Sequence, residues 1–220
     1  MYRSKERRQR LNDIAFDIEL LLISVVQGLA ITTIAENSIH LINGEEFIYW
    51  PYILAAFLFV IIYWAQVITH TLSFIDWPVD IVHTFLYYLI ALVEFVAFST
   101  FDDPKRWFFV NSILMIFVTI LYLYDYRLIK RKPAPKNSPA KKKLLQDTLE
   151  KQIFGLRTFV PGALIFNLAA LFLIHYYPQY FIGQNYHLIL ISIQIILALV
   201  YLLESLKDFR IRIGLITKSV

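Results

Sequence analysis

The 220-residue sequence contains no cysteine. Disulfides, thiol nucleophiles, iron–sulfur clusters and the thiol chemistry of quinone-linked oxidoreductases are therefore excluded. Charge is scarce as well. Only 17% of residues are Asp, Glu, Lys or Arg and 58% are hydrophobic, where a soluble domain has about 25% and about 45–50%. A soluble monomer of this size could not hide that much apolar surface. There is no G-x-S-x-G elbow, no H-E-x-x-H pair and no P-loop, so serine-hydrolase, zinc-protease and nucleotide-driven chemistries lack their reactive groups.

What the sequence does have is long apolar runs. Blocks near 20 residues match the roughly 30 Å hydrocarbon core of a bilayer, and six stretches qualify: Ile14–Ala35, Tyr52–Ile75, Val79–Phe101, Trp107–Tyr126, Ile153–His175 and Tyr186–Leu206. The expected fold class is all-α, a polytopic integral membrane protein with six transmembrane helices. Residues 1–13 form a basic cytoplasmic segment, 14–126 hold helices one to four, 127–152 a basic cytoplasmic loop, 153–206 helices five and six, and 207–220 a cytoplasmic tail. The first apolar block is too long for a signal-peptide core and is read as retained.

Orientation follows from Lys and Arg. With six crossings, eighteen fall on the side of the termini, two on the other, and Arg157 lies within span five. The positive-inside bias makes both termini cytoplasmic, and the expected location is the cell inner membrane. The net charge of +4 is a topology signal, so no nucleic-acid partner is inferred. Tyr49, Trp50, Tyr52, Trp77, Trp107, Tyr176, Tyr177, Tyr180 and Tyr186 fall at expected water–lipid interfaces, where amphipathic rings collect.

Between helices four and five, KRKPAPKNSPAKKK combines prolines with like charges and is expected to be an extended, mobile loop. Lys130, Arg131, Lys132, Lys141, Lys142 and Lys143 are its candidate contacts to anionic lipid or to an acidic cytoplasmic protein partner. Helical spacing returns at Leu144, Leu145 and Leu149, which suits an amphipathic turn on the membrane surface. The stretch FRIRIGLI within Asp208–Ile216 alternates like an amphipathic edge. Ser24, Gly28 and Thr32 recur every four residues, a small-residue ridge expected to serve helix packing. Pro161 and Gly162 are expected to kink span five.

Polar groups inside lipid cost roughly 2.5–3.5 kcal/mol per charge near a helix centre, so their positions carry the functional signal. Near the cytoplasmic boundary lie Asp17, His70, His83, Arg157, Tyr201 and Glu204; roughly 20 Å higher lie Gln27, Glu94, Asn167 and Gln194. Asp80, His83, Tyr87 and Glu94 share one stripe of span three. Arg157 is too low to serve Glu94 as counter-ion, and a carboxyl at that depth is expected to be protonated unless water or a cation reaches it. The plain alternative is that the amides and Glu94 merely hold the bundle together, each bond contributing about 0.6 kcal/mol. Asp17, Glu19, Asp125 and Glu204 are close enough to the interface to be simply hydrated.

Three functions are compatible with this pattern. The leading one is a channel or transporter for a small cation or protons, with Glu94 lining the route and a His70–His83 layer gating it from the cytoplasm. Its short chain suggests a homo-oligomer. The second is a non-conducting anchor or sensor that recruits a cytoplasmic partner through the basic loop and tail. The third is a metal-dependent lipid hydrolase using His70, Asp80 and His83. On the opposite side, His40, His175 and His187 with Glu45 and Glu46 form a second conceivable metal cluster. No cofactor is expected.

Overall fold

The computed structural model describes residues 2–73, 81–131 and 139–217, and side chains at residue 17 and within 20–69, 82–131 and 142–214. Among these residues there is no strand. Helix α1 spans Tyr2–Asn43, α2 Trp50–Ser73, α3 Ile81–Phe98, α4 Pro104–Arg131, α5 Pro139–Phe154, α6 Val160–Tyr176, α7 Pro178–Phe181 and α8 His187–Thr217. A 3₁₀ turn, Phe47–Tyr49, leads into α2, and a π-helical turn, Gly155–Phe159, joins α5 to α6.

Local chemistry explains the boundaries. Pro104 opens α4, where its missing N–H costs no hydrogen bond, and the preceding Asp103 accepts the backbone N–H of Arg106 through Oδ1 at 3.0 Å, capping the helix start. Pro178 opens α7 in the same way. The turn after α1 uses Glu45 at φ 56°, and the turn before α8 uses Asn185 at φ 59°, a left-handed conformation that asparagine adopts more readily than most residues. Just before Pro161 the helix widens into the π turn Gly155–Phe159. Proline removes the amide that would bond one turn back, and a wider turn is one way to accommodate the freed carbonyl.

Five segments are long and apolar enough to cross a membrane: Leu20–Asn43, Phe47–Thr69, Pro104–Arg131, Lys142–Tyr176 and His187–Gly214. Val82–Phe98, the described apolar part of α3, is shorter, about 26 Å against a hydrocarbon core of about 30 Å. It is cut short at one end because the chain turns at Ser99–Asp102. The helices form one bundle in which α2 packs on α8 and α1, α1 on α3, α3 on α4, and α4 on α5 and α6.

Three stretches differ from expectation. The described residues of the expected loop are helical, since α4 continues to Arg131 and α5 begins at Pro139. Segment α5 packs because its inward face is small or polar: Thr148 is buried, and Gln152 donates through Nε2 to the Tyr122 carbonyl at 3.0 Å. The run FRIRIGLI continues α8 as helix, where helical spacing turns Arg212 inward and lets Lys151 pair with Asp208 at 2.7 Å. Finally, Ser24, Gly28 and Thr32 are exposed, with open space around Gly28. The ridge faces away from the bundle, its hydroxyls bonded to Leu20 and Gly28 carbonyls of the same helix.

The packed centre surrounds Trp107, which is fully buried within the bundle. Its ring meets Tyr52 edge-on at 5.3 Å and stacks with Phe59 at 6.1 Å and Phe98 at 6.4 Å. Tyr52 and His187 are buried beside it, the phenol 3.0 Å from His187 Nδ1. A second apolar group around Ile23, Val26, Leu86 and Ile90 ties α1 to α3.

Candidate functional site: an amphipathic cavity inside the bundle

A cavity of about 480 Å³ runs through the bundle, walled by α2, α3, α4, α5, α6, α8 and the π turn. Along α4 its lining extends from Asn111 to Asp125, fourteen residues or about 21 Å of helix. Most of the wall is aliphatic or aromatic. Glu94, Asn111, Asn167 and Gln194 supply the polar groups toward one end, and Asp125, Thr148, Gln152 and Arg212 those toward the other.

The four residues expected to share the upper layer separate into two bonded sets. Gln27 and Glu94 are both buried, and Gln27 donates through Nε2 to Glu94 Oε2 at 2.6 Å. Gln194 donates through Nε2 to Asn167 Oδ1 at 3.0 Å while its own Oε1 accepts Trp107 Nε1 at 2.8 Å. Asn167 in turn donates to the Ala163 carbonyl at 2.8 Å. The second set is therefore a chain of donors and acceptors fixed by Trp107, which is what a structural brace requires.

Glu94 differs. Among the described residues no Lys, Arg or His comes within ion-pairing distance of it, and it stands on the cavity wall. Its surroundings are rich in acceptors: Gln27 Oε1 and Asn111 Oδ1 are buried with no hydrogen-bond partner among the described residues. Buried acceptors without a protein donor are uncommon.

Tyr87 lies on the same stripe and lines the cavity; its carbonyl accepts the Tyr63 hydroxyl at 3.0 Å. His83 is buried one turn away, 4.7 Å from the Tyr87 ring centroid, with Nε2 3.1 Å from Asp125 Oδ1. Asp125 is thus a buried partner of an imidazole and not the hydrated interfacial acid that its height implied. Opposite it, the Tyr122 and Tyr201 hydroxyls meet at 2.8 Å, and Phe159 stacks on Tyr201 at 3.7 Å. Arg212, 4.0 Å from Asp147, closes this end.

Other expected lower-layer residues are elsewhere. Asp17, Arg157 and Glu204 are exposed, the last paired only with Lys207 at 3.8 Å. Asp80 and Lys132 lie outside the described residues, as do the side chains of His70 and Lys141. Tyr63 and Gln66 of α2 are both on the cavity wall, with Gln66 bonded to Ser205 at 2.8 Å. Lys130, Arg131, Lys142 and Lys143 are exposed.

Among the described residues no group of three His, Asp or Glu side chains is placed to hold a metal ion. The three histidines of the far side do not converge. His187 is buried against Tyr52, while His40 meets the edge of Phe101 at 6.5 Å and His175 lies against Tyr176 at 4.9 Å. Each ring is held by a different aromatic partner, Tyr52, Phe101 and Tyr176.

Sequence reasoning missed Asp125, Asn111, Trp107, Tyr122 and Arg212. Asn111 had a usable signal, an amide within a span whose neighbours are apolar. The others sit near helix ends, where a polar side chain is normally hydrated. Comparison with protein-family descriptions, with curated proteins and with solved structures gives no match.

Proposed function

We propose that the chain is a six-span protein of the cell inner membrane, with both termini in the cytoplasm, that moves a small cation or protons through the central cavity. Glu94 is the binding carboxylate. His83, held by Asp125, belongs to the cytoplasmic end of the route. The observation that carries this reading is the position of Glu94, an acid without a cationic partner among the described residues on the wall of an internal cavity. Ionisable groups at that depth are costly and are retained where they act. One chain walls the cavity, so the homo-oligomer expected from chain length is not required for a route.

The test is flux in liposomes reconstituted with the full chain. Wild type carries a proton- or cation-dependent current that Glu94→Gln removes, with unchanged folding by circular dichroism. Equal flux from the two proteins refutes the reading.

A second reading, an anchor for a cytoplasmic partner, is favoured by one observation: Lys130, Arg131, Lys142 and Lys143 are exposed at the same end of the bundle. Under it, charge reversal at these four residues abolishes recruitment of that partner while flux is absent from wild type.

A further inference from the structure

The proposed transport reading takes a small cation or protons as cargo, and the size of the cavity points beyond it to a larger cation. A proton needs only a carboxylate that water can reach, and a bare metal ion needs a handful of oxygen ligands at short range. The cavity instead measures about 480 Å³ with predominantly apolar walls, within the range of sites that enclose a whole organic molecule. The aromatic side chains on the wall include Phe59, Tyr63, Tyr87 and Phe166. Aromatic faces attract onium groups, and on the same wall stand the Glu94 carboxylate and Asn111, whose buried Oδ1 has no hydrogen-bond partner among the described residues. At the other end the polar groups face one another in place, His83 Nε2 at 3.1 Å from Asp125 and Arg212 at 4.0 Å from Asp147.

The way in is also visible. Helix α6 packs most closely on α4. Gln194–Asn167 bridges α6 and α8 at one level and Phe159 on Tyr201 bridges the π turn to α8 at another. Between those levels, Gly162 and Leu197 both line the cavity and both are accessible, Leu197 by 46%. A Cβ at Gly162 would meet nothing within 4 Å. The gap lies about halfway along two spans, so it faces the hydrocarbon and not water.

We infer that the cavity binds a lipophilic organic cation, an onium centre with a bulky apolar body, which enters from the lipid phase between α6 and α8 and places its charge at Glu94. The inference rests on the transport reading only for its biological direction; binding stands by itself.

The experiment measures binding of tetraphenylphosphonium to the purified full chain in nanodiscs, with tetraphenylborate as a probe of the same shape and opposite charge. Wild type binds the cation at least tenfold more tightly than the anion. Glu94→Gln weakens the cation at least tenfold, and Glu94→Asp recovers part of the loss. Gly162→Trp, which puts an indole at the rim and leaves the acid intact, lowers binding of both probes, so the proposal remains testable if Glu94→Gln fails to fold. Equal affinity for the two probes, or cation binding indifferent to Gly162→Trp, overturns the inference. Glu94-dependent proton or potassium flux without phosphonium binding overturns it while leaving the transport reading standing. Glu94-dependent binding without any flux does the reverse.

Discussion

Gly155 sits where α5 crosses α4, and a Cβ added there would lie 2.5 Å from Tyr122 Cε1 and 3.1 Å from its Cδ1. The ring has little freedom to withdraw. Its hydroxyl is 2.8 Å from that of Tyr201, which is itself stacked against Phe159 at 3.7 Å. Gly155→Ala must therefore shift the helices or break the hydroxyl pair. Overpacking of this kind costs about 1–3 kcal/mol, and the lost hydrogen bond adds about 1 kcal/mol. The gain in helix propensity, at most about 1 kcal/mol, offsets only part of this. The net effect is a destabilisation of about 1–3 kcal/mol, read from reversible unfolding in mixed micelles. The decisive measurement is the double-mutant cycle. In a Tyr122→Leu background the ring is gone, and Gly155→Ala should become neutral or stabilising. A Gly155→Ala protein as stable as wild type, or the same loss in both backgrounds, refutes the steric argument.

Other consequences are simpler. Trp107→Phe keeps the stacking but removes the donor to Gln194 Oε1 at 2.8 Å, and leaving a buried acceptor unpaired costs about 1–3 kcal/mol; an unchanged unfolding midpoint would contradict it. Gln27→Leu removes the donor at 2.6 Å from Glu94 and should weaken phosphonium binding about tenfold, as loss of about 1.4 kcal/mol implies, with no added effect in a Glu94→Gln background; additive effects in the double variant would show that the two residues act separately. Lys151→Ala breaks the 2.7 Å pair with Asp208, but the lysine is 41% exposed, so the loss should stay below about 1 kcal/mol; a larger loss would mean that α5 depends on this pair.

How much of this was readable from residues alone depended on which property set the outcome. Hydrophobic run length is a strong guide to where helices lie, and α2, α4, α6 and α8 overlap the expected spans. Glu94 was legible because an acid amid apolar residues is conspicuous without knowing its neighbours. Its partner was not, since Gln27 is 67 residues away and any of three amides suited the same height. The burial of Asp125 and of Trp107 was missed for one reason: height along a helix was taken to determine hydration, whereas burial depends on the facing helix, here α3 for Asp125 and α2 for Trp107. The same limitation hid the outward turn of Ser24, Gly28 and Thr32, whose spacing gives a shared face but not its direction.

The central claim is that Glu94 can be reached from the cavity. Dicyclohexylcarbodiimide, an apolar reagent that modifies carboxyls within membranes, tests it directly when the full chain in nanodiscs is treated, digested and read by mass spectrometry. The account predicts modification at Glu94, with labelling suppressed by tetraphenylphosphonium and restored when the cation is washed out. A Glu94 that stays unmodified in the folded protein yet reacts after denaturation would contradict it.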